Sequence, residues 1–305
     1  MNYSSDNLIT TSEGALEQMH KLFPDGKEFT VVEHGYDNLV GLVDGEYAVR
    51  FPRTEIAMQR NQYEEAVLIS INKNLKTHIN IPRVLDEKTN PPCIIMSFLP
   101  GHHLDAKQVN SLSKDEQRQI AHDISAFAYE LHQAVPVEEI REYYDQYDMD
   151  KLDNWARYFE ENLGDPKNIT NVQNEIIKKY HTAWKKNLAI QSQAVVHDDL
   201  HSENMMFANN RLVGVLDFSD THIGSPEQEL RFLFHLNEFL FEEAIKQYSK
   251  LLGQELSIEV AKTWAITQEL ATYVRRRNKN QTDYPWYKNA CRNLNSLFPE
   301  GNWGK

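Results

Sequence analysis

The sequence has little cysteine and no long apolar run. Its two cysteines, Cys93 and Cys291, lie far apart in the chain, and neither belongs to a pattern with metal-ligand spacing. We therefore expect neither a disulfide framework nor a zinc knuckle. No segment approaches the roughly 18 uninterrupted apolar residues of a membrane span, and the first residues lack the apolar stretch of a signal peptide. These absences predict a cytoplasmic protein with no membrane partner.

The sequence also has fewer basic than acidic residues. The chain carries 32 lysines and arginines against 45 aspartates and glutamates, which gives a net charge of −13. This balance argues against nucleic-acid binding, which needs a basic surface, and it favours cationic ligands. The 305 residues are 41% hydrophobic and 10% aromatic, so they can supply the core of one large domain or two ordinary ones.

Short strand-like runs dominate the first hundred residues. The runs EFTVVEHG, NLVGLV and EYAVRF are rich in β-branched and aromatic residues, and Asp44-Gly45 between the last two favours a two-residue hairpin turn. The segment IPRVLDEKTNPPCIIMSFL predicts two further strands. Helical periodicity predicts one helix over about residues 12–23 and another over about residues 55–75.

Helical patterns dominate beyond Pro100-Gly101. Ser113 and Glu116 have the spacing of a capping box at the start of a long helix. Further helices are predicted at about residues 150–163, 171–187, 226–251 and 257–277. The strand-like exception is VVHDDL followed by NMMFANNRLVGVLDF. We therefore predict an α+β protein, with a small sheet-rich lobe over residues 1–99 and a larger helical lobe over residues 100–305.

The strand-like exception also carries the polar residues with the clearest chemical pattern. A hairpin over MMF and LVGVL, with a turn at Ala-Asn-Asn-Arg, would bring Asn204 close to Asp217. Oxygen ligands placed in this way suit magnesium, which completes its shell with water and phosphate. Asp199 would lie beside that metal, where its carboxylate could orient an attacking hydroxyl group.

Two motifs in this region resemble a known family. The segment HDDLHSEN, followed by GVLDFSDTHIGSPEQEL, is similar to the catalytic and metal-binding segments of the protein-kinase-like phosphotransferases, in the branch of the aminoglycoside phosphotransferases and choline kinase. The resemblance covers about residues 28–245. It implies a two-lobed protein-kinase-like fold, with Asp199 as the catalytic carboxylate and magnesium on Asn204 and Asp217.

The resemblance also implies a site for ATP or GTP. Arg50 occupies the position of the phosphate-binding lysine on the third strand, and Glu65 is the first choice for the helical glutamate that positions it, with Glu64 as the alternative. Backbone amides near Tyr36 would cover the phosphates, although Gly35 and Gly41 are the only glycines there. Residues 96–99 would form the hinge beside the base. The predicted nucleotide contacts are Arg50, Glu65, Tyr36, Asn38, Met96, Ser97, Phe98, Leu99 and His201.

The acceptor is less constrained by the sequence. Acidic residues near and after the metal segment would form a cleft for a cationic hydroxyl acceptor; the candidates are Asp198, Asp220, Glu238 and Glu242. The competing interpretation is an ordinary solvated acidic helix face. An aminoglycoside or related cationic antibiotic is the preferred acceptor, and the protein is expected to be a monomer or a weak dimer.

Three other functions stay open from the sequence. A metabolite kinase acting on choline, homoserine or a methylthio-sugar such as methylthioribose would use the same catalytic residues. A non-catalytic nucleotide-binding module would bind the nucleotide without transferring phosphate. A metallohydrolase would instead use His197, Asp199 and His201 as ligands of a transition metal, but that site would leave Asn204 and Asp217 without a role.

Overall fold

The structure is a computed structural model, and it describes residues 7–33, 35, 37–152, 155–188 and 193–304. The strands are β1 Phe29–Val32, β2 Asn38–Val43, β3 Tyr47–Pro52, β4 Val84–Thr89, β5 Pro92–Ser97, β6 Ala194–Val196, β7 Met205–Ala208, β8 Arg211–Val215 and β9 His222–Gly224. The helices are α1 Ser12–Leu22, α2 Glu55–Asn74, α3 Ala106–Ser111, α4 Lys114–Ala134, α5 Val137–Gln146, α6 Met149–Leu152, α7 Trp155–Leu163, α8 Asn171–Leu188, α9 Pro226–Glu229, α10 Leu233–Leu236, α11 Glu238–Leu252, α12 Ile258–Asn278 and α13 Pro285–Leu297.

The chain divides into two compact units. The first comprises Met1–Leu104, Glu130–Leu152 and His197–Ile223, and the second comprises Asp105–Tyr129, Asp153–Val196 and Gly224–Lys305. The β7–β8 hairpin therefore belongs to the first unit, together with the larger sheet. The lobe boundary expected between residues 99 and 100 stays a prediction.

The larger sheet has the strand order β1-β2-β3-β5-β4, and its neighbouring strands are antiparallel. The hairpin turn between β2 and β3 lies at Asp44 and Gly45, whose φ angles are 53° and 65°. Both are left-handed, as a two-residue turn of this type requires, so the predicted hairpin is confirmed. Arg50 lies in the central strand, opposite Val40 on one side and Ile94 on the other.

Helix α1 packs on this sheet through Met19, which is fully buried with Leu39 and Phe51. Thr11 caps the helix, since its hydroxyl accepts a hydrogen bond from the Gly14 N–H group. A Cβ atom added at Gly41 would lie 2.0 Å from Met19 Sδ. Gly41 lies inside β2 and makes room for α1, so it is not part of a phosphate-binding loop.

The second unit has its own aromatic core. Phe159 and Trp184 pack edge to face with ring centroids 5.0 Å apart, and Trp264 lies against both. These rings join α7, α8 and α12. Burying large aromatic side chains gives this unit much of its hydrophobic stabilisation.

Most of the predicted helices are present, but the one expected over residues 226–251 is not continuous. It is divided into α9, a 3-10 turn at Leu230–Phe232, α10 and α11. Asn237 has an extended backbone, with φ −166° and ψ 124°, and its side chain caps α11 by accepting from the Leu240 N–H group. Asparagine is a favoured N-cap residue, and here it starts a new helix inside an uninterrupted helical pattern.

Over the described residues, no helix combines the length and the apolar character needed to cross a membrane.

Candidate active site

The catalytic-loop candidate Asp199 is held by its neighbours in the first unit. The Asn204 side-chain amide donates to Asp199 Oδ2 at 2.9 Å and to the Asp199 carbonyl at 3.0 Å. His201 Nε2 lies 3.3 Å from the same carboxylate oxygen. The Asp199 side chain is 23% exposed. A carboxylate fixed through one oxygen and still reached by solvent can present its other oxygen to a hydroxyl group.

His197 braces this loop from inside the protein. Its side chain is fully buried, its Nδ1 accepts from the Asp199 N–H group at 3.2 Å, and its Nε2 lies 2.8 Å from the Leu216 carbonyl oxygen. Because Nδ1 accepts, Nε2 must carry the proton and donate to that carbonyl. The ring thus ties Asp199 to the residue that precedes Asp217.

The β7–β8 hairpin brings Asn204 and Asp217 to its two ends, as the sequence predicts. Met205 pairs with Val215, and the Leu216 N–H group donates to the Asn204 carbonyl at 2.8 Å. Both hydrogen bonds of the Asn204 NH₂ group go to acceptors on Asp199, so its side-chain oxygen is left for a cation. One amide oxygen and one carboxylate suit magnesium.

The electrostatics of Asp217 also fit a cation site. Burial alone would raise the pKa of this carboxyl group, but the nearby Arg50 guanidinium and a hydrogen bond from Ser219 lower it to about 2. The Ser219 hydroxyl donates to Asp217 Oδ1 at 2.8 Å. Asp217 is thus ionised at neutral pH and ready to bind a divalent ion.

Arg50 is paired with Glu64, not with Glu65. Its Nη1 hydrogen-bonds to Glu64 Oε2, while its Nη2 lies 3.6 Å from Asp217 Oδ1. The other Glu64 oxygen accepts from the Phe218 N–H group at 3.0 Å. The first choice from the sequence was therefore wrong and its alternative is correct. Successive residues on a helix point about 100° apart, so only one of the two glutamates can face β3.

The Arg50–Glu64 pair is deeply placed, with side chains 11% and 3% exposed. Burial raises the pKa of Glu64 to about 7, and the Arg50 charge and the Phe218 N–H group act in the opposite direction. The surrounding carboxylates raise the pKa of Arg50 against the effect of burial. Glu64 is thus the acidic partner of Arg50, whose guanidinium group keeps its charge at any ordinary pH.

Asp198 does not face an acceptor, contrary to the prediction. Its side chain is fully buried, and its Oδ2 lies 3.5 Å from His222 Nδ1. Asp198 has a left-handed backbone with φ 65°. That conformation, which aspartate tolerates better than most residues, accompanies the buried position of its side chain.

Asp220, another acceptor candidate, is already paired with a basic side chain, and its contact with an acceptor stays a prediction. Its carboxylate hydrogen-bonds to the guanidinium of Arg60 on α2 and is only 17% exposed. Arg60 Nε in turn lies 3.1 Å from Asp37 Oδ2, in the segment between β1 and β2. Burial raises the pKa of Asp37, while the Arg60 charge lowers it. Arg60 and Asp37 had no place in the sequence-based site.

His201, predicted to contact the nucleotide, lies against the Asp199 carboxylate. Its Nδ1 accepts from the Glu203 N–H group at 3.1 Å, which caps the 3-10 turn Ser202–Asn204. Burial lowers the pKa of His201, but the adjacent Asp199 carboxylate outweighs this effect and raises it. A contact between His201 and a phosphate stays a prediction.

The loop between β1 and β2 is only partly described. Tyr36 lies outside the described residues. The Asn38 side chain is buried and exchanges two hydrogen bonds with the Asn61 amide on α2, at 3.1 and 2.8 Å. It therefore cannot reach a nucleotide, which leaves the backbone amides as the predicted contacts. A Cβ atom at Gly35 would lie 2.4 Å from the Asn38 carbonyl oxygen, so glycine is required at this close approach.

The hinge candidate, residues 96–99, has two of its backbone donors already in use. The Ser97 N–H group donates to the Arg83 carbonyl at 2.9 Å, and the Phe98 N–H group donates to the Glu46 carbonyl at 2.8 Å. These bonds hold the segment against the sheet. The edge of a base would have to be read by other groups of the segment, and its role as a hinge stays a prediction.

The remaining acceptor candidates, Glu238 and Glu242, lie on α11 in the second unit. Glu238 Oε1 is 2.9 Å from Lys262 Nζ, and Glu242 Oε1 is 3.7 Å from the same ammonium group. Their side chains are 64% and 36% exposed. Part of their charge is therefore balanced by lysine, and their contact with an acceptor stays a prediction.

The structure gives no support to a transition-metal site on His197, Asp199 and His201. Both nitrogens of His197 have protein partners, and the ring is buried. Across the part of the chain that the structure describes, no group of three or more His, Cys, Asp or Glu side chains is arranged to hold a metal ion.

Comparison with known proteins places these features in a family. The model of the phosphotransferase enzyme family (APH) matches residues 28–266. A GDP complex of a variant of aminoglycoside 2'-phosphotransferase-IIIa has a TM-score of 0.77 and 16% identity, covering 95% of this chain and 98% of that one. A streptomycin–ATP complex of the aminoglycoside phosphotransferase APH(2")-IIa has a TM-score of 0.69 and 20% identity, covering 97% and 99%.

A third similar structure is the apoenzyme of macrolide 2'-phosphotransferase MphH from Brachybacterium faecium. Its TM-score is 0.67 at 16% identity, and the match covers 92% of this chain and 97% of that one. At these identities the likeness concerns the fold, whereas the family match rests on most of the sequence. The chain belongs to the phosphotransferase enzyme family: it has the two-lobed protein-kinase-like α+β fold and is a small-molecule phosphotransferase with a hydroxyl group as acceptor.

Proposed function

We propose that the protein transfers the terminal phosphoryl group of ATP or GTP to a hydroxyl group of an aminoglycoside-type antibiotic. The observation that carries the catalytic part is the geometry of Asp199, whose carboxylate is held by Asn204 and His201 yet is reached by solvent. The net charge of −13 supports a cationic acceptor. Several of the similar structures are complexes with streptomycin, gentamicin or kanamycin, which supports this acceptor class.

Each residue of the site has a distinct role in this proposal. Asp199 accepts a hydrogen bond from the acceptor hydroxyl, orients it and takes its proton as the phosphoryl group is transferred. Asn204 and Asp217 would hold magnesium, which neutralises phosphate charge when bound. Arg50, held by Glu64, binds phosphate oxygens and disperses their charge. Fixing the two reacting groups in one geometry supplies much of the rate enhancement.

The proposal includes both adenine and guanine as the base of the nucleotide. Similar structures contain GDP, ATP or ADP, which supports a nucleotide co-substrate without selecting one. Kinetics with ATP and GTP under the same conditions decide the preference. We also propose a cytoplasmic location and a monomeric or weakly dimeric state. Sedimentation of the purified protein would test the oligomeric state.

The catalytic role is tested with Asp199→Ala. Loss of the carboxylate should lower turnover by roughly 10²–10⁴-fold, as for other general bases, and leave the nucleotide KM nearly unchanged. Asp115→Asn is the matched control, because that side chain is 93% exposed, and it should keep full turnover. Full turnover in Asp199→Ala would contradict the proposed mechanism.

The acceptor is tested by measuring nucleotide consumption with aminoglycosides, macrolides, choline and sugar alcohols. The proposal expects turnover that depends on an aminoglycoside. Turnover confined to macrolides or to metabolites would replace the acceptor and keep the mechanism. Nucleotide binding without turnover for every acceptor would support the non-catalytic alternative.

A further inference from the structure

Helix α2 holds the segment that follows Asp217 through three positions on one face. Arg60, Tyr63 and Glu64 have i, i+3 and i+4 spacing, so their side chains emerge on the same side of the helix. Tyr63 donates its hydroxyl to the Thr221 carbonyl, and Glu64 accepts from the Phe218 N–H group at 3.0 Å. These two contacts reach the backbone of the segment. They already anchor it to α2 without Arg60.

Arg60 differs from the other two because it contacts acidic side chains at two separate places. Its Nη2 hydrogen-bonds to Asp220 Oδ1, and its Nε lies 3.1 Å from Asp37 Oδ2. The exposed fractions are 17% for Arg60, 17% for Asp220 and 26% for Asp37. Solvent screens pairs at this depth less than pairs on the surface, so the attraction in these contacts is stronger than in the same pairs fully exposed to water.

Asp37 and Asp220 lie in segments with different proposed roles. Asp37 ends the loop expected to cover the nucleotide phosphates, where its neighbour Asn38 is also held by α2 through Asn61. Asp220 follows the proposed metal ligand Asp217 by three residues. The guanidinium thus bridges a phosphate-side loop and a metal-side segment.

A second contact leads from Arg60 towards the metal ligand itself. Arg60 Nη2 lies 3.5 Å from Ser219 Oγ, and that hydroxyl donates to Asp217 Oδ1 at 2.8 Å. Asp217 Oδ1 thus contacts both the Ser219 hydroxyl and Arg50 Nη2. Moving Arg60 would disturb Ser219 and change the direction of the oxygen offered to a cation.

We propose that Arg60 is a positioning residue that couples the phosphate-side loop, through Asp37, to the metal-binding carboxylate of Asp217, through Asp220 and Ser219. The inference rests on the proposed function, since the loop and the carboxylate have those duties only in a phosphotransferase. In this proposal Arg60 acts through Asp37, Ser219 and Asp220 and not by its own contact with substrate or metal. Its effect is to keep two binding segments in one mutual geometry.

The two ends of the bridge predict two different kinetic effects. Asp37→Asn weakens the contact between Arg60 and the phosphate-side loop. It should raise the nucleotide KM about tenfold with little change in kcat. Asp220→Asn weakens the contact between Arg60 and the metal-side segment. It should lower kcat about tenfold and raise the magnesium concentration needed for half-maximal turnover. Arg60→Gln removes both ends and should show both effects.

Conservative and combined variants separate positioning from general damage. Arg60→Lys keeps the charge but has a single ammonium group, which can hold only one of the two acidic side chains. It should therefore show one of the two kinetic effects of Arg60→Gln and not both. The double variant with Arg60→Gln and Asp220→Asn should be no slower than Arg60→Gln alone, because the shared contact is already lost. Lys73→Gln, an exposed position on the same helix, is the control and should match the wild type.

A binding measurement accompanies the kinetics. The dissociation constant of ADP is measured by equilibrium titration with and without magnesium, and magnesium should improve ADP affinity less in Arg60→Gln than in the wild type. A wild-type protein that binds ADP but never turns over nucleotide defeats the proposed function, and this titration still decides the role of Arg60.

Two results would overturn the inference. One is an Arg60→Gln variant with a lower melting temperature but unchanged kcat, KM and ADP affinity, which means that Arg60 only stabilises the fold. The other is full additivity of Arg60→Gln and Asp220→Asn, which means that the two side chains act independently. If Arg60→Gln fails to fold, Asp37→Asn and Asp220→Asn carry the same test through their separate effects on KM and kcat.

Discussion

The Arg50 guanidinium group contacts two acidic side chains at different distances. One nitrogen of its guanidinium is bonded to Glu64, and another lies 3.6 Å from Asp217. The contact with Asp217 is the longer one, so a phosphate oxygen would replace it more easily than the contact with Glu64. Arg50 can then bind phosphate while Glu64 continues to hold it.

Replacing Glu64 tests this arrangement at a single residue. Both of its carboxylate oxygens accept hydrogen bonds, from Arg50 and from the Phe218 N–H group, and glutamine has only one acceptor oxygen. Glu64→Gln should destabilise the protein by about 3 kcal/mol, because it leaves a buried charge poorly paired. It should also lower kcat/KM for the nucleotide by tenfold or more. Denaturant unfolding and steady-state kinetics measure the two effects.

Glu65→Gln is the matched control for this variant. Glu65 is the next residue on the same helix, and burial raises its pKa. Neutralising it should have little effect on kcat/KM or on the free energy of unfolding. A larger kinetic loss in Glu65→Gln than in Glu64→Gln would mean that the ion pair of Arg50 does not serve nucleotide binding.

Among the elements, β2 and α1 depend on one small residue. The sheet accepts α1 because Gly41 leaves room for the fully buried Met19 side chain. The sequence suggested a nucleotide-loop role for this glycine, but its position inside β2 makes it a packing residue. Strand glycines often mark such a close approach.

Gly41→Ala should therefore destabilise the first unit by about 1–3 kcal/mol through overpacking against Met19. The free energy of unfolding is measured for Gly41→Ala, Met19→Ala and the double variant. Removing the Met19 side chain should reduce the cost of the added methyl group. An equal cost of Gly41→Ala in both backgrounds would rule out this contact as the cause.

At the scale of the whole molecule, ligand binding should appear as thermal stabilisation. A ligand present at 100 times its Kd adds about 2.7 kcal/mol to the stability of the state that binds it. We expect ADP or GDP to raise the melting temperature by several degrees, and magnesium to increase the shift. Asp217→Asn should keep the nucleotide shift and lose the magnesium increment. An unchanged magnesium increment in that variant would place the metal elsewhere.

Local patterns were sufficient for features that depend on neighbours in the chain. The Ser113–Glu116 capping box and the Asp44-Gly45 turn form as predicted. The β7–β8 hairpin forms for the same reason and brings Asn204 and Asp217 to its two ends. Caps and turns satisfy backbone groups within a few residues, so short sequence patterns specify them.

Features that depend on distant segments were not predictable in the same way. Whether Glu64 or Glu65 faces Arg50 depends on how α2 is rotated against the sheet, and the burial of Asp198 depends on its left-handed backbone. The pairing of Asp220 with Arg60 joins residues 160 positions apart in the sequence. No local pattern contains this information.

The sequence by itself determined the family and the fold class. It also indicated the candidate site around Asp199, Asn204 and Asp217, because the spacing of these residues reflects short loops and one hairpin. Only the tertiary structure decided which charged side chains face one another. Arg50 with Glu64, and Arg60 with Asp37 and Asp220, are chosen by the packing of α2 beside the sheet and the Asp217 segment. Ion pairs between distant segments follow from three-dimensional proximity and burial, which the order of residues specifies only through the whole fold.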